Sequence, residues 1–142
     1  MNDTSLVGTW RLACWYNEVE GGSRDYPMGE DAIGHISYSS DGYVFVHIMT
    51  AGRTLYAEND PFGGSPEEDS AAVKSHLSYS GRYEDRGDHV IHHVEIASCP
   101  NWAGTQQVRK KTLEGQSLYL SAEATQFQGR EVTAVLRWDR AN

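Results

Sequence analysis

The sequence predicts an all-β chain of eight short strands joined largely by hairpins, with one short helix. Three observations carry this. Runs rich in Val, Ile, Tyr and Trp recur along the whole length. Clusters of Gly, Asp and Ser separate them at hairpin spacing. Only one segment carries the signature of a helix start. A sandwich or a barrel would satisfy this pattern equally.

The first strand spans residues 6–18 and is ended by Gly21-Gly22-Ser23. Strands 33–39 and 43–50 flank Ser40-Asp41-Gly42, a strong hairpin signal. Strands 78–85 and 90–97 flank Gly87-Asp88, and strands 105–113 and 117–122 flank Glu114-Gly115. The last strand covers 130–139. The helix signature is Ser65-Pro66-Glu67-Glu68: Ser caps, Pro suits the first turn, and Glu68 returns a bond to the cap. The spacing predicts a helix over about 66–76, with Val73 and Leu77 one turn apart on its buried side. Asp60-Pro61-Phe62-Gly63-Gly64 before it is a flexible approach. The segment reads as a cover over one end, or as a lid with Phe62 as its plug.

Composition narrows the partners. The chain has 142 residues, enough for one domain, 39% of them hydrophobic, with four Trp and eight Tyr. Twelve Lys plus Arg against twenty Asp plus Glu leave a net charge of −8. Such a surface repels phosphate backbones and anionic lipid, so neither nucleic acid nor a membrane is expected as partner. No apolar run approaches a membrane span and no signal-peptide pattern opens the chain, so a cytoplasmic setting is expected. Cys14 and Cys99 read as thiols rather than a disulfide.

Strand alternation then assigns faces. With Asp41-Gly42 as a two-residue turn, Tyr38 faces Phe45 and Ile36 faces His47. This puts Gly34, Ile36, Tyr38, Phe45, His47 and Met49 on the aromatic-rich face, expected inside. With Glu114-Gly115 as the turn, Leu118, Leu120 and Ala122 pair with Lys111, Arg109 and Gln107. The leucines want the interior and carry Arg109 and Gln107 in with them. Tyr79, Gly81 and Tyr83 share an inward face. In 89–97, apolarity favours Val90, His92, Val94 and Ile96 inside. Chemistry favours His93 and Glu95, two apart on the other face, and these are the expected inward pair.

Gly8-Thr9-Trp10 near the start, with Arg137 and Arg140 near the end, resembles the seam of lipocalins, where a late Arg stacks over an early indole. Pro27-Met28-Gly29, Gly34-His35-Ile36-Ser37-Tyr38, Tyr79-Ser80-Gly81-Arg82-Tyr83 and His92-His93-Val94-Glu95 look similar to the same group. So does Pro100-Asn101-Trp102-Ala103-Gly104-Thr105 with Gln107 and Arg109. Together they resemble the small stand-alone lipocalin-like domain proteins of bacteria and fungi, across nearly the whole chain. The Thr-Asp-Tyr loop motif of secreted lipocalins is missing. The resemblance implies a single up-and-down antiparallel eight-stranded barrel with an internal pocket. It brings no catalytic set.

Such a barrel holds side chains or one small ligand. The expected lining mixes rings and ionisable groups. Tyr38, Phe45, His47, Tyr79, Trp102 and Gln107 would bind a small, partly aromatic or apolar metabolite. His93, Glu95, Arg109 and Tyr83 would act on it: His93 as acid/base, Glu95 as its orienter or Arg109's partner, Arg109 and Tyr83 as an anion clamp. An inward Arg109 needs a carboxylate from Glu95 or from the ligand. No nucleophile elbow, phosphate loop or dinucleotide fingerprint occurs, so cofactor-independent isomerisation, cyclisation, dehydration or retro-aldol cleavage is the expected chemistry. The alternative is a non-catalytic intracellular carrier. His47, His93 and Glu95 could meet around zinc, but without a tight motif no metal is expected. Outward aromatic strands would suit a homodimer.

Overall fold

A computed structural model describes residues 5–19, 21–127 and 130–141. Nine strands form in order: β1 (Gly8–Val19), β2 (Arg24–Asp25), β3 (Ile33–Tyr38), β4 (Tyr43–Met49), β5 (His76–Asp85), β6 (His89–Ala97), β7 (Gln106–Glu114), β8 (Ser117–Phe127) and β9 (Arg130–Arg140). The helix α1 (Pro66–Lys74) joins β4 to β5, and a 3-10 turn at Pro100–Trp102 joins β6 to β7. Each strand from β3 to β9 pairs antiparallel with the next, β1 pairs with β3, and β9 returns to β1. The result is a closed up-and-down barrel of eight strands. The two-residue β2 pairs with the far end of β1.

The seam is held by charge and ring. Trp10 pairs with Arg140, whose guanidinium lies 4.1 Å from the indole centroid. The Trp10 indole N–H donates to the Leu6 carbonyl at 3.0 Å, and Arg140 donates to the Ser5 carbonyl at 2.6 Å. Arg137 instead lies 6.0 Å from the ring of Tyr119. Trp10, Ile36, Val44, Val90, Leu118 and Trp138 are buried completely or nearly so.

The β3–β4 connection corrects one face assignment. It has three residues, not two. Ser39 N–H donates to the Tyr43 carbonyl at 2.8 Å, and Gly42 takes a φ of 95°. A type I turn followed by a left-handed glycine explains this. The extra residue slips the register by one, so Ile36 faces Val46 and Tyr38 faces Val44. Val44, Val46 and Ile48 point in. Phe45, His47 and Met49, expected inside, lie on the outer face, and Phe45 is 53% exposed.

On β7–β8 the turn is Gly115-Gln116, so Leu118 faces Leu113 and Leu120 faces Lys111. The partners move by two, which leaves the faces unchanged. Gln107, Arg109 and Lys111 share the inward-leaning side of β7. The Lys111 side chain, 8% exposed, reaches Asp85 with its ammonium at 2.6 Å.

The β6 assignment is also corrected. Val90, His92 and Val94 face in, and His93 and Glu95 face out. A bulge sits here: Ser80 pairs with Ile96 and Gly81 with Val94, leaving Glu95 over. Gly81 is required, because a Cβ there would fall 1.8 Å from the His93 carbonyl oxygen.

Helix α1 starts as the sequence dictates. Ser65 and Glu68 exchange both bonds of the capping box. It ends at Lys74, however, and buries no residue. Val73 is 73% exposed, and Leu77 belongs to β5, where it packs on the core. The helix is tied to its own approach instead: Arg53 donates to Ser75 Oγ at 2.9 Å and to the Ala72 carbonyl at 3.0 Å. Phe62 is 96% exposed and plugs nothing in this conformation. No helix among the described residues is long and apolar enough to cross a membrane.

Candidate functional site

Inward alternation on β5, β6 and β3 brings Tyr79, His92 and Tyr38 together inside the barrel. The Tyr38 hydroxyl lies 2.7 Å from His92 Nε2, and the Tyr79 hydroxyl lies 2.6 Å from Nδ1. His92 is 1% exposed. Burial, with the charge of Arg109 behind it, pushes its pKa down to about 3. The ring is therefore neutral, with one N–H to give and one lone pair to offer. Burial also pushes Tyr79 up to about 12 and Tyr38 well above its ordinary value. Tyr83 packs edge-on against Tyr38 at 4.8 Å and donates to the Ser39 carbonyl at 3.0 Å.

A cavity opens beside this chain. Its volume is about 70 Å³, and its walls include Tyr79, His92, Trp102, Arg109, Leu77 and Trp138. Trp102, on the 3-10 turn, meets Tyr79 edge-on at 5.9 Å. The α1 connection and this turn lie at the same end of the barrel, since β5 begins and β6 ends there. Arg109 donates to Gln107 Oε1 at 2.6 Å and to the Val108 carbonyl at 3.1 Å. It makes no ion pair among the described residues. The Trp138 indole N–H is buried with no partner among them.

Of the sequence-expected site residues, the interior gathers Tyr38, Tyr79, Tyr83, Trp102, Gln107 and Arg109. Phe45, His47, His93 and Glu95 stand on the outer face. His93 pairs there with Glu84 at 2.7 Å, holding that carboxyl below its usual range. The proposed His93–Glu95–Arg109 constellation does not form, because the outer face of β6 separates the first two from the third. His92 is the residue that sequence reasoning missed. Its signal was present: it lies between Val90 and Val94 on the more apolar face.

A larger hollow of about 460 Å³ lies outside, lined by His35, Ser37, Phe45, His47 and Ile96 among others. It lies along the outer faces of the strands rather than within the barrel. Among the described residues no three His, Cys, Asp or Glu side chains are grouped to hold a metal ion, and both cysteines are free thiols.

A family model for the lipocalin-like domain matches residues 7–141. The chain belongs to the lipocalin-like domain family. The chain is also similar to a 4'-hydroxy-3'-methoxypropiophenone carrier protein from Aspergillus oryzae. The two are 33% identical over 100 residues, which cover 64% of this chain and 90% of that relative. The lipocalin-like barrel and this relative together support small-molecule binding.

Proposed function

We propose that this chain is a carrier barrel for a compact organic molecule of the phenolic aryl ketone kind. One observation carries the reading: a cavity inside the barrel walled by aromatic rings with a few hydrogen-bond donors. The carrier relative supports the ligand class. At about 70 Å³ the cavity has room for only a few waters, whereas ligand sites run to about 300–1,000 Å³. Loading therefore requires the half-buried Trp102 and Leu77 at the mouth to move aside.

Cofactor-independent acid/base chemistry is less favoured. Its proposed base, His93, and orienter, Glu95, are outside. The one imidazole at the cavity is a weak base, clamped by two phenols. A cytoplasmic pool and a homodimer through the outer face of β4 and β6 complete the proposal; cell fractionation and solution mass measurement test them.

The deciding experiment is a titration with 4'-hydroxy-3'-methoxypropiophenone, followed by tryptophan quenching and by mass spectrometry. Saturable binding with the compound recovered unchanged is expected. Turnover would convert the reading to an enzyme, and absence of binding would remove this ligand class.

A further inference from the structure

The hydrogen count inside the barrel is unbalanced. Neutral His92 has one N–H, yet both ring nitrogens lie against phenols. One phenol must donate and the other must accept, and the accepting one keeps its own hydrogen. Neither hydroxyl has a second partner among the described residues. Tyr38 is 1% exposed and forms no part of the cavity wall, so a spare hydrogen there would be stranded in apolar core. Tyr79 does line the cavity. The better tautomer has Tyr38 donating to Nε2 and Nδ1–H donating to Tyr79. The Tyr79 hydrogen is then left for an occupant.

The other cavity groups share this bias. Arg109 spends two of its donors on neutral oxygens and meets no carboxylate among the described residues. Its charge still reaches the cavity, since it pulls Tyr79, Tyr38 and His92 each toward lower pKa. The Trp138 indole N–H is a third donor, without a partner among the described residues. The walls thus offer donors and a positive charge, with Glu95 on the far side of the sheet.

We propose that the occupant carries an acidic oxygen, a phenol or an enol, and that Tyr79 and Arg109 hold it as the anion. This rests on the carrier reading above and adds which group the occupant presents to which wall.

The test uses two probes, 4-hydroxypropiophenone and propiophenone, which lacks the ionisable group. The anion of the first absorbs at longer wavelength, so its ionisation can be followed while bound. Next to a guanidinium, the bound probe is expected to ionise about one to three pH units lower than the free one. Propiophenone should bind at least about tenfold more weakly where the hydroxylated probe is ionised. Arg109→Gln should abolish most of the downward movement, Arg109→Lys should retain part of it, and Tyr79→Phe should weaken binding severalfold. Circular dichroism confirms that each variant folds. An unmoved or raised ionisation, a movement unchanged in Arg109→Gln, or equal affinity for both probes overturns the inference while leaving the carrier reading standing. If neither probe binds, the carrier reading itself fails and the inference falls with it.

Discussion

The Tyr79 hydroxyl stands 2.6 Å from Nδ1 of His92, inside a barrel whose remaining core is almost wholly apolar. This contact has a consequence for acid stability. Burial holds His92 at about 3, against an ordinary value of 6.5, and the charges of Arg109 and His93 act the same way. Between those values the unfolded chain takes up a proton that the folded chain refuses. The unfolded state binds more protons, so stability falls as pH drops from 6.5 toward 3, by up to about 5 kcal/mol. His76, also lowered by burial, adds to the same slope. The lowered carboxyls of Glu68, Glu84 and Asp88 contribute only nearer pH 4 and below. Urea midpoints should fall between pH 6.5 and pH 4.5 in the native protein. They should fall less in His92→Gln; equal slopes would refute the assignment.

Gly81→Ala should be severely destabilising. The added carbon would lie 1.8 Å from the His93 carbonyl oxygen, which is backbone and cannot step aside without undoing the bulge. A loss of about 3 kcal/mol or more is expected, against less than about 0.5 for Ser80→Ala next to it. Thermal melts of both variants check this; similar melting temperatures would count against the bulge as a requirement.

Trp102→Ala should loosen the mouth. The edge-on contact with Tyr79 is lost, costing about 1–3 kcal/mol for a half-buried ring. Association and dissociation of the aryl ketone should both accelerate in stopped-flow traces. Unaltered rates would mean that ligand enters elsewhere.

Removing the outer pair should do little. His93 and Glu84 are both solvent-accessible, so His93→Ala is expected to change stability by less than about 1 kcal/mol and ligand affinity not at all. A large drop in affinity would bring back His93 as a site residue.

Element positions were legible in the sequence because turn chemistry and alternation agree over most of the chain. Strand faces were harder. On β7 the misplaced turn cost two residues of register, an even number, so Arg109 kept its side. On β3–β4 it cost one, which was enough to turn Phe45 and His47 outward while Val44 and Val46 went in. Ser40-Asp41-Gly42 suits both a two- and a three-residue connection, with a left-handed glycine in either, and it is the Ser39–Tyr43 hydrogen bond that closes the three-residue form.

The ring and guanidinium residues of the candidate site were legible as inward-facing, and its histidine was not. His92 and His93 are neighbours with opposite faces, and the nearby carboxylate of Glu95 favours the one that faces out. The apolar flanks, Val90 and Val94, carried the better information. Burying them is worth more than any pairing an exposed Glu95 could offer. Helix α1 shows the converse. Its capping sequence is decisive, yet the one-turn spacing of Val73 and Leu77 predicts a core contact that Val73, 73% exposed, does not make.

The seam between β1 and β9 makes the tube an all-or-nothing object. Trp10 and Arg140 meet across almost the entire chain, so closure waits until the last strand has emerged from the ribosome. Until then β1 has a bare edge, able to pair with any passing strand. A nascent chain halted before β9 would be an open, sticky ribbon with no protected interior, and it would have nowhere to keep a cargo.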